Sequence, residues 1–132
     1  MKARIFAAAI LAAGSLAVHT AQAQQPAGIK RTDAIKADLG IQGREVVQVR
    51  VDFAPGASFP RHAHPGEEVA YVLEGVVEYT IDGKPPVTLK AGDALLIPAG
   101  AVHTARNPGS VHAAELATYI IEKGKPALTL AK

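Results

Sequence analysis

From Val46 to Phe53 the chain alternates: Val47, Val49, Val51 and Phe53 fall on one face, Gln48, Arg50 and Asp52 on the other. A period of two marks a strand with one buried face. Pro55-Gly56 ends the run, and shorter β-branched or apolar runs follow at Val69–Leu73, Val76–Ile81, Val87–Leu89, Ala94–Ile97 and Glu115–Ile121. Between them stand Asp82-Gly83, Ala91-Gly92-Asp93, Pro98-Ala99-Gly100 and Asn107-Pro108-Gly109, residues that favour tight turns. Pieces this short do not build a helical bundle. One stretch, Asp33 to Leu39 with Gly40 closing it, has the spacing of a short helix. The pattern predicts an all-β, single-domain protein, a small barrel or two-sheet jelly roll over residues 46–132, preceded by an N-terminal arm at 24–45.

Residues 1–23 follow another pattern. Lys2 and Arg4 precede an apolar run from Ile5 to Val18, and Ala21-Gln22-Ala23 supplies the small-x-small site that signal peptidase accepts. At about 14 residues the run is shorter than the roughly 20 that span a bilayer, so it reads as a cleaved export signal. Cleavage is expected after Ala23, and the product is expected to be periplasmic or secreted. Removing this segment changes the charge. The whole chain carries 14 Lys+Arg against 12 Asp+Glu; without Lys2 and Arg4 the balance is zero, and the surplus that phosphate binding needs is gone. No nucleic-acid partner is expected, and no membrane association after cleavage. At 48% hydrophobic and 20% charged, the chain has the composition of a folded core. It has no cysteine, which excludes disulfides, thiolate metal sites and a cysteine nucleophile. Any metal must sit on imidazoles and carboxylates.

Two of the five histidines form His62-Ala63-His64. Residues two apart on a strand point to one face, roughly 6.6 Å apart along its axis, so both imidazoles can reach one ion. On a straight strand Glu68 would lie on the order of 13 Å beyond His64. Pro65-Gly66 supplies a bend that could bring it back. His103, just past Pro98-Ala99-Gly100, could reach the same point from an adjacent strand. Taken alone, a His-x-His is more often a surface pair than a metal site.

The order of these pieces carries more. Gly56, five residues, His62-x-His64, three residues, Glu68, six residues and Gly75 resembles the first conserved motif of the cupin superfamily. Gly92, five residues, Pro98-x-Gly100, two residues, His103, three residues and Asn107 resembles the second. More narrowly, the chain is similar to small exported single-domain cupins. The resemblance implies a jelly-roll β-barrel with one divalent transition metal in its mouth, held by His62, His64, Glu68 and His103. It also implies turn glycines at Gly75, Gly92 and Gly100, with Asn107 a loop residue rather than a ligand.

Glu67 competes with Glu68, and spacing favours Glu68, which shares its face with Ala70 and Val72. Glu67, Tyr71 and Tyr79 are candidates for positions beside the ligands. Arg50, Arg61 and Arg106 are candidates for holding an anionic substrate at the mouth, and His112 is expected to be exposed. Four protein ligands close a tetrahedral zinc shell but leave two open positions on an octahedral ion. Fe, Mn, Ni, Cu and Zn stay open. Two functions follow from the resemblance: a metalloenzyme acting on a small organic substrate, either a dioxygenase or a Lewis-acid isomerase or lyase, and a binding module without turnover. A homodimer is expected, with Val46–Phe53 as an edge strand that needs cover.

Overall fold

The computed structural model describes residues 25–132; the expected export signal at 1–23, with His19, lies outside the described residues. Along the chain the strands are β1 (Ile29–Asp38), β2 (Arg44–Phe53), β3 (Ser58–Ala63), β4 (Gly66–Glu74), β5 (Val76–Ile81), β6 (Val87–Lys90), β7 (Ala94–Ile97), β8 (His103–Arg106), β9 (Ala113–Glu122) and β10 (Thr129–Leu130). All pair antiparallel in two five-stranded sheets, ordered β1-β2-β9-β4-β7 and β10-β3-β8-β5-β6. The protein is an all-β jelly-roll barrel, and the described residues contain no helix.

The alternation read from the sequence is the alternation of burial. Val49, Val51 and Phe53 of β2, Ala70 and Val72 of β4, and Ala117, Tyr119 and Ile121 of β9 face Phe59, Val77, Tyr79, Ile81 and Ala105 of the other sheet in one core. Burying each of the larger aliphatic side chains contributes about 1.5–3 kcal/mol. Gly75, Gly92 and Gly100 do turn with positive φ.

Three expectations are corrected. The stretch Asp33–Leu39 does not form a helix: β1 runs through it, paired with β2 from Ile29↔Phe53 to Asp38↔Glu45, with a bulge between Asp33 and Ile35. Most of β1 is exposed, Ile35 included, so its outer positions have no alternation to read, and pairing with β2 overrides local propensity. For the same reason residues 24–45, expected as an arm, hold a strand of the sheet. Nor is β2 an edge. It lies between β1 and β9, and the edges of its sheet are β1 and β7.

The bend expected between His64 and Glu68 is a crossing from one sheet to the other, since β3 belongs to the second sheet and β4 to the first. Gly66 makes the crossing possible by close approach. A Cβ there would stand 2.0 Å from the Ile120 carbonyl oxygen and 2.7 Å from the Ile121 Cα.

Candidate metal centre

The crossing decides the geometry of the site. His62, at the end of β3, pairs across the sheet with His103 at the start of β8, and His64 lies just past the end of β3. Glu68 enters from the opposite sheet, on the inward face of β4 with Ala70 and Val72. The four side chains are all buried, and one ligand atom from each falls within 4.8 Å of the others. Oε2 of Glu68 lies 3.0 Å from His64 Nε2 and 3.1 Å from His103 Nε2.

Each imidazole is fixed through its other nitrogen. Nδ1 of His62 donates to the Pro60 carbonyl at 2.8 Å, that of His64 to Ala127 at 2.5 Å and that of His103 to Ala101 at 2.9 Å. A ring that donates from Nδ1 turns Nε2 inward as an acceptor, the arrangement that orients metal-binding histidines. Nε2 of His64 is buried without a hydrogen-bond partner; its approach to Glu68 is close but not aligned for one. Burial, helped by the neighbouring His103, lowers the pKa of His62 to about 4, which keeps it neutral. Burial raises the pKa of Glu68, but His103 and His64 more than offset this and hold it below the carboxylate range. Burial depresses His103 as well, but its protonated ring, donating from Nδ1 to Ala101 and from Nε2 to Glu68, is favoured by that second bond, so its pKa is raised overall; a metal on Nε2 would take the place of that proton.

An anionic carboxylate ringed by inward-facing imidazole nitrogens is a cation site in its donor chemistry. Donors bonded to one ion at about 2.1 Å and at right angles lie about 3.0 Å apart, which matches the separations of Glu68 from His64 and His103. The residues present fit a divalent transition metal.

Beside this cluster is a small polar cavity of about 10 Å³, lined by Arg31, Tyr79, Glu115 and Tyr119 among others. It has room for about one water. Glu115 is buried and accepts a hydrogen bond from the Tyr79 hydroxyl. Burial, then the charge of Glu68, pushes its pKa up to about 8. The hydroxyls of Tyr79 and Tyr119 are also raised, first by burial and then by the nearby carboxylates.

Tyr79 lines the cavity with His62, Glu68 and His103, beside the candidate ligands. Tyr71 does not: it shares the outward face of β4 with Glu67 and Val69 and is 43% exposed. Glu67 is likewise on the outer face. The three arginines expected at the mouth are each paired with surface carboxylates, Arg50 with Asp52 and Glu74, Arg61 with Asp82, and Arg106 with Glu78. His112 is exposed, as expected, and contacts Asp52 and Glu74. Asn107 is a buried tie rather than a ligand: its Nδ2 donates to the carbonyls of Phe53, Ala54 and Val111, and its Oδ1 accepts from Gly109 N.

Sequence reasoning missed Arg31, Glu115 and Tyr119. Arg31 fell in the presumed arm. Glu115 left a readable signal, because Glu115, Ala117, Tyr119 and Ile121 alternate on one face. A carboxylate on an otherwise apolar inward stripe needs a reason.

Two five-stranded antiparallel sheets closed around such a His-His-Glu-His cluster define a class of small barrel proteins. The chain belongs to the cupin family: residues 49–120, more than half of it, match the cupin domain. It is 36% identical over 100 residues to germin-like protein 1-1 of Oryza sativa subsp. japonica, an alignment covering 71% of this chain and 46% of that one. The chain spans about half or less of the length of the curated relatives it matches. The crystal structure of the dimethylsulfoniopropionate lyase DddQ from Ruegeria pomeroyi superposes with a TM-score of 0.59 at 28% identity, over 65% of this chain and 43% of that one. A recombinant oxalate oxidase in complex with glycolate superposes with a TM-score of 0.63 at 26% identity, over 78% and 55%.

Proposed function

We propose that the protein is an exported, metal-dependent cupin enzyme that moves a proton on a small organic substrate. The observation that carries this reading is the pairing, in one buried pocket, of a four-donor cluster with a second carboxyl group, Glu115, and its partner Tyr79. His62, His64, Glu68 and His103 would hold the ion, and the ion would supply Lewis-acid polarisation of a substrate oxygen. Glu115, raised above the ordinary carboxylate range, can hold a proton near neutral pH and give or take it across the cavity. Tyr79 orients that carboxyl. The likeness to a lyase and to an oxalate oxidase supports a small-molecule substrate. Germin-like relatives, an oxidase and a lyase share the fold, so the barrel alone does not choose the reaction and the residues of the site do.

Residues 1–23 would be removed on export, after Ala23. The outer face of the first sheet carries Val69 and Leu96, paired across β4 and β7, and the half-exposed Tyr71. This apolar surface at a sheet edge supports a homodimer, which light scattering would measure directly.

Metal analysis of purified protein beside a His64→Ala variant tests the centre. The parent is expected to carry one transition metal per chain and the variant little; equal, negligible metal in both would overturn the assignment. Turnover of a panel of small hydroxy and keto acids is then expected to proceed without dioxygen. Oxygen consumption coupled to turnover would instead favour the dioxygenase version.

A further inference from the structure

Two cavities meet at one arginine. The inner one is the polar cavity beside the four ligands. The outer one is a groove of about 350 Å³ whose walls include Pro26, Phe59, Pro60, Ala127, Leu128 and Leu130. Arg31 and Phe59 line both. Arg31 therefore stands in the wall between the groove and the polar cavity beside the ligand cluster.

That guanidinium is held but not neutralised. It lies over the rings of Phe59 and Tyr119, 5.6 Å and 5.8 Å from their centroids, and its Nη2 is 3.5 Å from the Tyr119 hydroxyl. Aromatic faces fix a cation without satisfying its N–H groups. Among the described residues no carboxylate lies within 4.0 Å of it, in contrast to Arg50, Arg61 and Arg106. A half-buried, pre-positioned guanidinium with free donors is a fork for a carboxylate, which can meet it with two parallel hydrogen bonds.

Size and polarity choose among carboxylates. The inner cavity admits little more than a water-sized group, whereas the outer groove has the volume of a ligand pocket and a mostly apolar wall. A two-carbon dianion would leave that wall wet. We infer that the substrate is a monocarboxylate with an apolar substituent, its carboxylate on Arg31 at the threshold of the ligand cluster and its apolar part in the outer groove. This rests on the metal-centre reading only for the chemistry; binding at Arg31 and in the groove is separately measurable.

Phenylacetate, acetate and 2-phenylethanol, titrated by calorimetry into Mn(II)-loaded and metal-free protein, serve as probes. Phenylacetate is expected to bind at least tenfold tighter than either acetate, which lacks the apolar part, or 2-phenylethanol, which lacks the charge. Arg31→Gln should weaken phenylacetate tenfold or more while leaving 2-phenylethanol binding and metal content unchanged, and Arg31→Lys should recover part of the loss. Thermal melting of both variants checks that they fold. Phenylacetate bound equally by parent and Arg31→Gln, or no more tightly than acetate, would overturn the inference. So would a folded, metal-loaded parent that binds none of the probes. Arg31-dependent binding by a protein that takes up no metal would sustain the inference and sink the metal centre.

Discussion

The wall that carries the four candidate ligands and the mouth that leads to it are built differently. The wall comes from β3, β4 and β8, and the four candidate ligands it carries are packed to within a few per cent of full burial. The mouth comes from the two flanks of the described chain, Gln25 to Arg31 at one side and Ala127 to Leu130 at the other, around Phe59 and Pro60. Wall residues are fixed by neighbours on every side. Several mouth residues are fixed only by their backbone, as Leu130 is, at 59% exposure and held by pairing of β10 with β3. A barrel arranged this way can keep its chemistry constant while its entrance varies, because substitutions at the entrance disturb little of the core.

The sharpest way to break this contrast is at Gly66. Gly66→Ala drives a methyl group into the β9 backbone, so strands β4 and β9 must separate and Glu68 moves with them. The expected cost is about 3–5 kcal/mol, read as a lowered midpoint in urea. An unchanged midpoint would show that the wall yields as easily as the mouth. Next in size is Asn107→Ala, which strips partners from three carbonyls and from Gly109 N; about 2–4 kcal/mol should be lost in the same assay.

Glu115→Gln should act in the opposite direction, and only above acid pH. The ordinary pKa of 4.5 is raised to about 8 in the folded protein. Between those values the unfolded chain has released this proton while the folded chain keeps it, so stability falls as pH rises through the window and levels off above it. In metal-free protein the variant should match the parent near pH 4 and exceed it by about 1–3 kcal/mol at pH 8. A constant difference across that range would show that Glu115 does not titrate in the pocket. The smallest effect is expected at the mouth: Leu130→Ser should change stability by less than about 0.5 kcal/mol while weakening phenylacetate several-fold.

The same division explains what could be read from the chain alone. Motif spacing singled out His62, His64, Glu68 and His103, the four side chains that the fold brings together, because residues on neighbouring strands that converge on one point need fixed offsets around the glycine turns. Alternation located β2 and the inward face of β4. Neither reached β1, whose exposed positions follow no period, nor the groove that Arg31 shares with Ala127, Leu128 and Leu130, which depends on how the flanks of the described residues fold over the barrel. Glu115 lay between the two cases. Its alternation was visible, but its meaning depended on Tyr79, brought beside it from the other sheet.

The hydrogen bond from His64 Nδ1 to the Ala127 carbonyl joins the two regions. Ala127 is part of the groove wall, so a molecule that orders residues 127–130 also steadies the ring whose opposite nitrogen faces Glu68. With an ion on the cluster, occupancy of the groove and occupancy of the cluster would be thermodynamically linked through this bond. By reciprocity, any factor by which a groove ligand tightens the ion is the factor by which the ion tightens the groove ligand.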